Sequence, residues 1–420
     1  MKTTGRDFFW GSATSAHQIE GGNHNDWSEW ELKSAKVEAQ NAEKKNWPEY
    51  ILKTYPNPLQ EKNYISGAAC DHYNRFREDF DIAKSLGHNA HRFSIEWSRI
   101  EPEEGKFNEQ EIEHYREVIR ALRKRGMEPF VTLWHWTLPV WFSERGGWLH
   151  PQAGEAFTRF VSRIVDEYKD DVRFWGVYNE PETFARHGYF RGDRPPGYGW
   201  RIFSYYRVLK VLVETYIQTY KAIKKIDSKA QVGISESLVY FNSYSRMPLH
   251  LIALRIVRWW RNNPFLEEYI AHSDYIGFQY YFHSRIRRNP WKSQWGIQYN
   301  ENKSVSDFGW EIYPEGIYQI LKQLGKYHKP IYITENGLAD SRDEKRANFI
   351  KEHIRYTRKA VSEGVDVRGY FHWSLLDNFE WNKGFWPRFG LVEIDYRTLE
   401  RKVRGSALEY KKIINTETKK

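Results

Sequence analysis

The sequence predicts an α/β protein that forms a single (β/α)8 TIM barrel with long loops after its strands, with residues 1–420 as one domain. Three observations favour this fold. Segments typical of buried strands alternate with segments of helical periodicity along most of the chain. The strand-like segments number eight, as the closed barrel requires. No linker divides the chain, and barrels with long loops reach this length as one domain.

The predicted strands are short runs rich in β-branched or aromatic residues. They are residues 8–13, 90–95, 128–134, 174–179, 231–235, 275–280, 330–334 and 369–373. In a barrel of this kind the active-site residues lie at the carboxyl ends of the strands. Side chains at these eight ends are therefore the candidates for function.

The helix-like segments lie between these strands and repeat apolar residues every 3.6 positions. They include residues 71–86, 109–125, 153–168, 203–226, 314–327 and 344–363. Gly87 and Gly126 follow two of them and are typical of helix ends. Two long polar inserts, residues 31–66 and 283–308, follow the first and sixth strands, so we expect both to form walls on the active-site face.

Composition excludes several classes of protein. The chain is 40% apolar, which is enough for a large core, but no apolar stretch approaches the roughly 20 residues of a membrane span. The formal net charge is +9, yet the basic residues are interspersed with acids and no nucleic-acid-binding motif occurs, so we expect no nucleic-acid partner. Cys70 is the only cysteine and the polar N-terminus resembles no signal peptide, which favours a cytoplasmic location.

Residues 246–261 form one unusual segment, with Arg255, Arg258 and Arg261 at helical spacing. The apolar residues available for its other side are Leu251, Ile252, Ile256 and Trp259. This composition is typical of a helix that binds a membrane surface or a partner. An outer barrel helix whose arginines extend into water is the interpretation that we favour.

Two short motifs carry the strongest functional signal. Residues 178–181 read Tyr-Asn-Glu-Pro and residues 332–337 read Tyr-Ile-Thr-Glu-Asn-Gly, at the ends of the fourth and seventh predicted strands. They present Glu180 and Glu335 where each strand gives way to a loop. Hydrolysis of a glycosidic bond needs two such carboxylates, one to protonate the leaving oxygen and one to attack or stabilise the anomeric carbon.

Neighbouring residues fit the same chemistry. Asn179 can hydrogen-bond a sugar hydroxyl, and such bonds strengthen in the transition state. The second strand is expected to bring Arg92 beside the end of the seventh, where a cation would keep Glu335 ionised. Tyr281 is a candidate hydrogen-bond donor to the same carboxylate.

Residues 9–21 resemble the N-terminal signature of glycoside hydrolase family 1. Later motifs of that family are matched in order by residues 132–136, 178–181, 332–337 and 378–381. The resemblance covers roughly residues 8–410. It implies a retaining, exo-acting β-glycosidase of the β-glucosidase or β-galactosidase type. Its substrates would be small β-glycosides and oligosaccharides, cleaved by double displacement without metal or cofactor and with transglycosylation as a side reaction.

The resemblance also implies roles for individual residues. Glu180 would be the general acid/base and Glu335 the nucleophile, with Arg92 and Tyr281 supporting Glu335. The ring of residues that would hydrogen-bond the non-reducing sugar is Gln18, His135, Asn179, Glu380 and Trp381. Trp373 would be the aromatic platform beneath that sugar, and Trp310 would line the leaving-group side.

Three positions depart from the usual pattern of the family, and they bear on specificity more than on the reaction. Gln279 replaces an asparagine, Trp134 a histidine and Thr137 an aspartate. The branch that accepts 6-phosphorylated sugars is disfavoured, because Glu380 would repel a phosphate. An endo-β-glucanase-like barrel enzyme and a catalytically silent sugar-binding protein are the alternatives. The preferred sugar, the aglycone and a homo-oligomeric state stay open.

Overall fold

Eight parallel strands close into a barrel at the centre of the computed structural model, which describes residues 8–262, 264–287 and 300–418. The strands of the described residues are β1 (Phe9–Ala13), β2 (Ala90–Ser94), β3 (Glu128–Trp134), β4 (Phe174–Asn179), β5 (Gln231–Ser237), β6 (Tyr240–Ser243), β7 (Tyr275–Gln279), β8 (His283–Ile286), β9 (Ile331–Asn336), β10 (Val367–Trp373), β11 (Val392–Asp395) and β12 (Glu400–Val403). The barrel order is β1-β10-β9-β7-β5-β4-β3-β2. The pairs β6–β8 and β11–β12 form two small separate sheets.

Helices connect successive barrel strands and form the outer layer. The α-helices are α1 (Ala16–Ile19), α2 (Asp26–Glu43), α3 (Glu49–Leu52), α4 (His72–Ser85), α5 (Trp97–Ile100), α6 (Glu109–Lys124), α7 (Val140–Glu144), α8 (Ala153–Tyr168), α9 (Pro181–Ala185), α10 (Ile202–Ile226), α11 (Pro248–Arg261), α12 (Leu266–Ala271), α13 (Glu315–Leu324), α14 (Arg346–Ser362) and α15 (Gly405–Thr418). A π-helical turn, Arg186–Arg191, follows α9 directly. The predicted barrel is confirmed.

The first strand closes the barrel by pairing with both β10 and β2. Gly11 lies opposite Phe371 on one side and Ala90 on the other. A Cβ atom at Gly11 would lie 2.2 Å from the carbonyl oxygen of Ala90, so only glycine fits this close approach.

Aromatic side chains fill the interior of the barrel below the site. Phe130 and Phe174 stack with their ring centres 4.1 Å apart, and Tyr332 packs edge-on against Phe130 at 5.3 Å. Tyr275 belongs to the same buried cluster, and the partly buried Phe9 packs against it. This packing gives the carboxyl ends of the strands a rigid floor.

The two predicted inserts differ in what they do. In residues 31–66, Asn63 donates to the carbonyl of Lys383 at 2.9 Å and accepts from the backbone N–H groups of Phe385 and Trp386. This insert therefore supports a loop at the active-site face from behind. The insert 283–308 begins with β8, and its residues 288–299 lie outside the described residues.

The helix α11 lies outside the barrel and packs on the β6–β8 sheet through His250, Leu254 and Val257. The apolar residues singled out in the sequence instead face water, with Leu251 47%, Ile252 58%, Ile256 61% and Trp259 59% exposed. The favoured interpretation of an ordinary outer helix does not account for this exposed apolar side. None of the helices in the described residues is long and apolar enough to cross a membrane.

Candidate active site

Glu180 lies at the carboxyl end of β4, in the turn that leads into α9. Its backbone adopts φ 46° and ψ 59°, the left-handed region that non-glycine residues rarely occupy, at a cost of about 1–2 kcal/mol. The following Pro181 starts α9, a position where its missing N–H costs nothing. The Glu180 N–H donates to the carbonyl of Ser235 at 2.7 Å, which fixes this turn against the end of β5.

Glu335 lies near the end of β9, and donors hold both oxygens of its carboxylate. Oε1 accepts from Arg92 Nη1 at 2.5 Å and from Gln279 Nε2 at 2.9 Å. Oε2 accepts from the Tyr281 hydroxyl at 2.8 Å. The carboxylate is therefore fixed in orientation and paired with a buried cation, as an ionised group requires.

The environments of the two glutamates favour different protonation states. Burial, followed by the charge of Glu335, raises the pKa of Glu180 to about 8, although a hydrogen bond from Thr183 acts in the opposite direction. Burial also raises the pKa of Glu335, but Arg92 and Tyr281 lower it. Because only Glu335 pairs directly with a cation, it is the glutamate that ionises first.

Asn179 connects the two sides of the site. Its Oδ1 accepts from Arg92 Nη2 and from Gln279 Nε2, both at 2.6 Å. Its Nδ2 donates to His135 Nε2 at 3.2 Å, and the other ring nitrogen of His135 is buried without a partner among the described residues. Burial and the Arg92 charge hold the pKa of His135 well below its usual range, so the imidazole is neutral. Its second ring nitrogen then carries a proton and can donate a hydrogen bond to a ligand hydroxyl.

Glu380 lies across the cavity from this pair, next to Gln18. Its Oε2 accepts from Asn378 Nδ2 at 3.1 Å and from Gln18 Nε2 at 3.4 Å. Gln18 also donates to the carbonyl of Phe379 at 2.8 Å, so its amide is held firmly. Burial raises the pKa of Glu380 to about 7.

Aromatic rings complete the walls of the cavity. The ring of His135 stacks on Trp373 at an interplanar angle of 17° and on Trp381 at 14°. Trp310 packs against Phe282 and Phe308, with ring centres 4.4 and 4.5 Å away. Flat apolar faces beside hydrogen-bonding groups suit the C–H faces and hydroxyls of a sugar ring.

These groups enclose one cavity of about 530 Å³. The sequence-predicted residues that line it are Gln18, His135, Asn179, Glu180, Tyr281, Trp310, Glu335, Trp373, Glu380 and Trp381. Arg92 is not on the surface of the cavity and lies behind Glu335 and Asn179. The described residues contain no cluster of three or more His, Cys, Asp or Glu that would hold a metal ion.

The three departures noted in the sequence have different positions. Gln279 contacts Glu335 and Asn179 directly, so it belongs to the site. Trp134 packs in the core against Trp148, and its indole N–H donates to the carbonyl of Thr137 at 2.9 Å. The hydroxyl of Thr137 donates to the carboxylate of Glu96, which does not line the cavity. Neither Trp134 nor Thr137 lines the cavity.

Sequence reasoning missed several residues of the cavity wall, namely Trp136, Arg186, Arg191, Arg194, Arg261, Lys383 and Phe389. Five of the seven are basic; three of these follow β4 in the chain, and Arg261 is the last residue of α11. Their position after a barrel strand that carries Glu180 was the available signal. Arginines are usually exposed, and only the fold shows that these line the cavity.

A (β/α)8 barrel with two buried glutamates at the ends of β4 and β9, surrounded by amide, imidazole and indole groups, defines a glycoside hydrolase. A model of glycosyl hydrolase family 1 matches residues 1–275 and 262–419. The chain belongs to that family, and the predicted fold, family and class of O-glycosyl hydrolase are confirmed.

Relatives of known activity match over almost the whole chain. Beta-glucosidase A of Thermotoga maritima is 32% identical over 97% of this chain and 96% of its own length. A beta-galactosidase of Saccharolobus solfataricus is 32% identical over 81% of this chain and 83% of its own. Among solved structures, a beta-glycosidase from Pyrococcus horikoshii matches with a TM-score of 0.84 at 35% identity, covering 98% of this chain and 94% of that one. These relatives favour a β-glycosidase over the endo-glucanase-like and silent alternatives.

Proposed function

We propose that this enzyme cleaves the non-reducing-end sugar from small β-glycosides and oligosaccharides by double displacement, with Glu335 as nucleophile and Glu180 as general acid/base. The observation that carries the assignment is the contrast between their neighbours. Arg92 and Tyr281 hold Glu335 by both oxygens, whereas the pKa of Glu180 is raised to about 8. A group that must give up a proton near neutral pH needs a raised pKa, and a nucleophile needs to be ionised.

In the first step an oxygen of Glu335 attacks the anomeric carbon while Glu180 protonates the departing oxygen, which leaves a glycosyl ester on Glu335. In the second step Glu180 takes a proton from water, and that water displaces Glu335 from the anomeric carbon. This second inversion releases the sugar with its β configuration retained overall. Arg92 and Tyr281 position Glu335 for attack. A sugar or alcohol in place of water gives transglycosylation.

The sugar in this proposal lies between Gln18, His135, Asn179, Glu380 and Trp381, with Trp373 as its platform. Gln18 and Glu380 close one end of the cavity through their mutual hydrogen bond and the link to Phe379. A closed end favours removal of one terminal sugar over cleavage within a polymer. Trp310, beside Tyr281 and Phe308, lies on the leaving-group side.

The roles are tested with substitutions that remove each carboxyl group. Glu335→Ala should reduce kcat by at least about 10⁴-fold, because the covalent step is lost. Glu180→Gln should lose far less rate with a nitrophenyl glycoside, whose leaving group needs no proton, than with cellobiose. Added azide should restore turnover in both Glu335→Ala and Glu180→Ala, giving the α-glycosyl azide from the first and the β-glycosyl azide from the second.

Glu393 on β11 is partly buried and lies outside the cavity, so Glu393→Ala provides a control that should keep the parental rate. Near-parental turnover by purified Glu335→Ala would end the nucleophile assignment. Equal losses by Glu180→Gln on nitrophenyl glycoside and cellobiose would end the acid assignment. The cytoplasmic location, the absence of a cofactor and of a nucleic-acid partner, and a homo-oligomeric state stay predictions or open questions.

A further inference from the structure

One wall of the cavity is strongly basic, on the side of Glu180. The chain between α9 and α10 contributes Arg186, Arg191 and Arg194 to it, and the last residue of α11 contributes Arg261. Neither the reaction nor the sugar-binding ring uses these four side chains. They belong to the leaving-group side, because Glu180 is the group that would protonate the leaving oxygen.

The acidic residues of this wall already have partners. Glu182 Oε1 accepts from Arg186 Nε at 3.2 Å. Asp193 lies 3.4 Å from Arg191 Nε and also accepts from the ring of His187 at 2.7 Å. These carboxylates pair directly with Arg186 and Arg191. Asp193 still raises the pKa of Arg194, and Glu182 that of Arg261, but neither carboxylate forms an ion pair with these two arginines among the described residues.

Arg194 has donors without acceptors. Its Nε and Nη1 atoms are buried and make no hydrogen bond among the described residues, and its guanidinium carbon lies 4.7 Å from the ring centre of Trp136. Burial lowers the pKa of Arg194 to about 10, so the group is still a cation at neutral pH. Because the Arg194 side chain lines the cavity, its charged donors without a partner are expected to meet an acceptor from a ligand.

Arg261 is likewise in no ion pair within the described part of the chain. The charge of Arg186 is the largest cause that lowers its pKa to about 10, ahead of burial. Two guanidinium groups that repel each other across a cavity wall are stabilised when an anion lies near both. The excess positive charge of this wall is therefore what is expected of a site that binds a negatively charged ligand.

Neutralising the glutamates of the site is a second explanation for Arg194, since its charge lowers the pKa of Glu180 and of Glu380. Those two carboxyls nevertheless keep raised pKa values of about 8 and 7, so neither is a full counter-charge at neutral pH. This explanation also leaves Arg261 without a role.

We propose that this wall binds an anionic group, a carboxylate, sulfate or phosphate, carried by the leaving group of the β-glycoside. Guanidinium groups suit such anions because they donate paired hydrogen bonds in a plane. An anion on the sugar itself is disfavoured, because Glu380 would face it. The inference rests on the proposed function, since the position of Glu180 defines the leaving-group side.

The test compares β-glycosides that differ only in the charge of the leaving group. One pair is the 4-carboxyphenyl and 4-carbamoylphenyl glycosides, and the other is the 4-sulfophenyl and 4-sulfamoylphenyl glycosides. For each pair we expect kcat/KM at low salt to favour the anionic member by about tenfold, and added salt to reduce that ratio. The amide withdraws electrons more strongly than the anion, so leaving-group acidity alone would favour the neutral member.

Two variants test whether the arginines of the wall cause the preference for the anionic glycosides. Arg194→Met and Arg261→Gln should each lower the anionic-to-neutral ratio several-fold, mainly through KM. Arg255→Gln removes the same charge from the exposed side of α11, outside the cavity, and should leave the ratio unchanged. If Arg194→Met fails to fold, Arg261→Gln alone carries the test.

A parental ratio of one or below overturns the inference, as does an unchanged ratio in the two variants. Equal losses on both members of a pair mean that Arg194 acts only on the glutamates and also overturn it. Hydrolysis of the neutral glycosides without a preference for anions contradicts this inference alone. No hydrolysis of any β-glycoside contradicts the proposed function instead.

Discussion

Glu180 and Glu335 are chemically identical groups in one cavity, and their immediate neighbours separate them. Glu335 accepts from Arg92, Gln279 and Tyr281, three donors of which one is charged. Glu180 has a hydrogen bond from Thr183 and otherwise lies in a buried site next to a like charge. Desolvation and repulsion favour its protonated form, which is the form that a general acid needs.

This difference predicts a bell-shaped dependence of kcat/KM on pH. The rate should fall as pH rises through about 8, because Glu180 then loses the proton that it must donate. The rate should also fall at acid pH, because Glu335 is then protonated and cannot attack. Burial raises the pKa of Glu335, so this fall should have its midpoint above the ordinary carboxyl pKa of 4.5. The two limbs belong to the coupled pair.

Glu180→Gln provides the check, since an amide has no proton to lose in this range. With cellobiose, whose leaving group needs that proton, the basic limb of the parent should disappear in Glu180→Gln, and the acid limb should stay. A basic limb that survives unchanged in Glu180→Gln would contradict the assignment. The stability of the fold should depend on pH in the same direction. Between about pH 4.5 and 8 the folded state keeps the Glu180 proton and the unfolded state does not, so the contribution of Glu180 to the free energy of unfolding falls as pH rises.

At the scale of elements, the sequence predicted the barrel strands closely and the cavity wall poorly. The predicted strands at 128–134 and 174–179 have the observed bounds, because runs of β-branched and aromatic residues mark buried strands. The strand β9 extends to Asn336, two residues past its predicted end, since its polar end still pairs with β10. The motif glutamates were therefore placed correctly at strand ends.

The basic wall of the cavity could not be predicted from the sequence, and the reason is physical. Arg194 and Arg261 are 67 positions apart by their numbers, and no local pattern relates them. Only the packing of the turn after α9 near the end of α11 brings them to one cavity, as the contact of Phe190 with Trp260 at 5.8 Å shows. Long-range packing of this kind has no periodicity to read.

The helix α11 supports a second prediction at this scale. Its exposed side carries Ile252, Ile256 and Trp259, and Arg255 lies on it as well. Apolar side chains flanked by cations suit an anionic lipid surface, where each basic residue contributes about 1 kcal/mol near the surface. We propose that α11 binds anionic membranes, so the protein should co-sediment with phosphatidylglycerol vesicles at low salt and not with phosphatidylcholine vesicles.

Ile256→Asp should weaken this vesicle binding by about tenfold or more, because it removes buried apolar area and adds a repelled charge. Leu408→Asp is the matched control, since Leu408 is 49% exposed on α15. Equal binding by the two variants would contradict the prediction. A stable dimer in light scattering that Ile256→Asp disrupts would show that a second copy covers α11 instead.

At the scale of the whole molecule, the two ends of the described chain are joined at the barrel. The hydroxyl of Tyr410 on α15 donates to the carbonyl of Gly11 on β1 at 3.0 Å. Arg404, just before α15, donates to both oxygens of Asp377 at 2.7 and 2.9 Å and to the carbonyl of Gly390 at 2.8 Å. We therefore propose that residues 1–420 behave as one domain, in which a change near the C-terminus affects the entire barrel.

Arg404→Met tests this proposal. Removing one partner of a buried ion pair costs about 3–5 kcal/mol, because Asp377 stays buried with less compensation. With an unfolding entropy of about 2.1 cal/mol/K per residue, a chain of this length should lose roughly 3–6 °C in Tm. Calorimetry should show one transition in parent and variant, and Lys402→Met, on the exposed strand β12, should shift Tm by less than about 1 °C. Two separate transitions, or an Arg404→Met shift no larger than that of the control, would mean that the C-terminal part unfolds apart from the barrel.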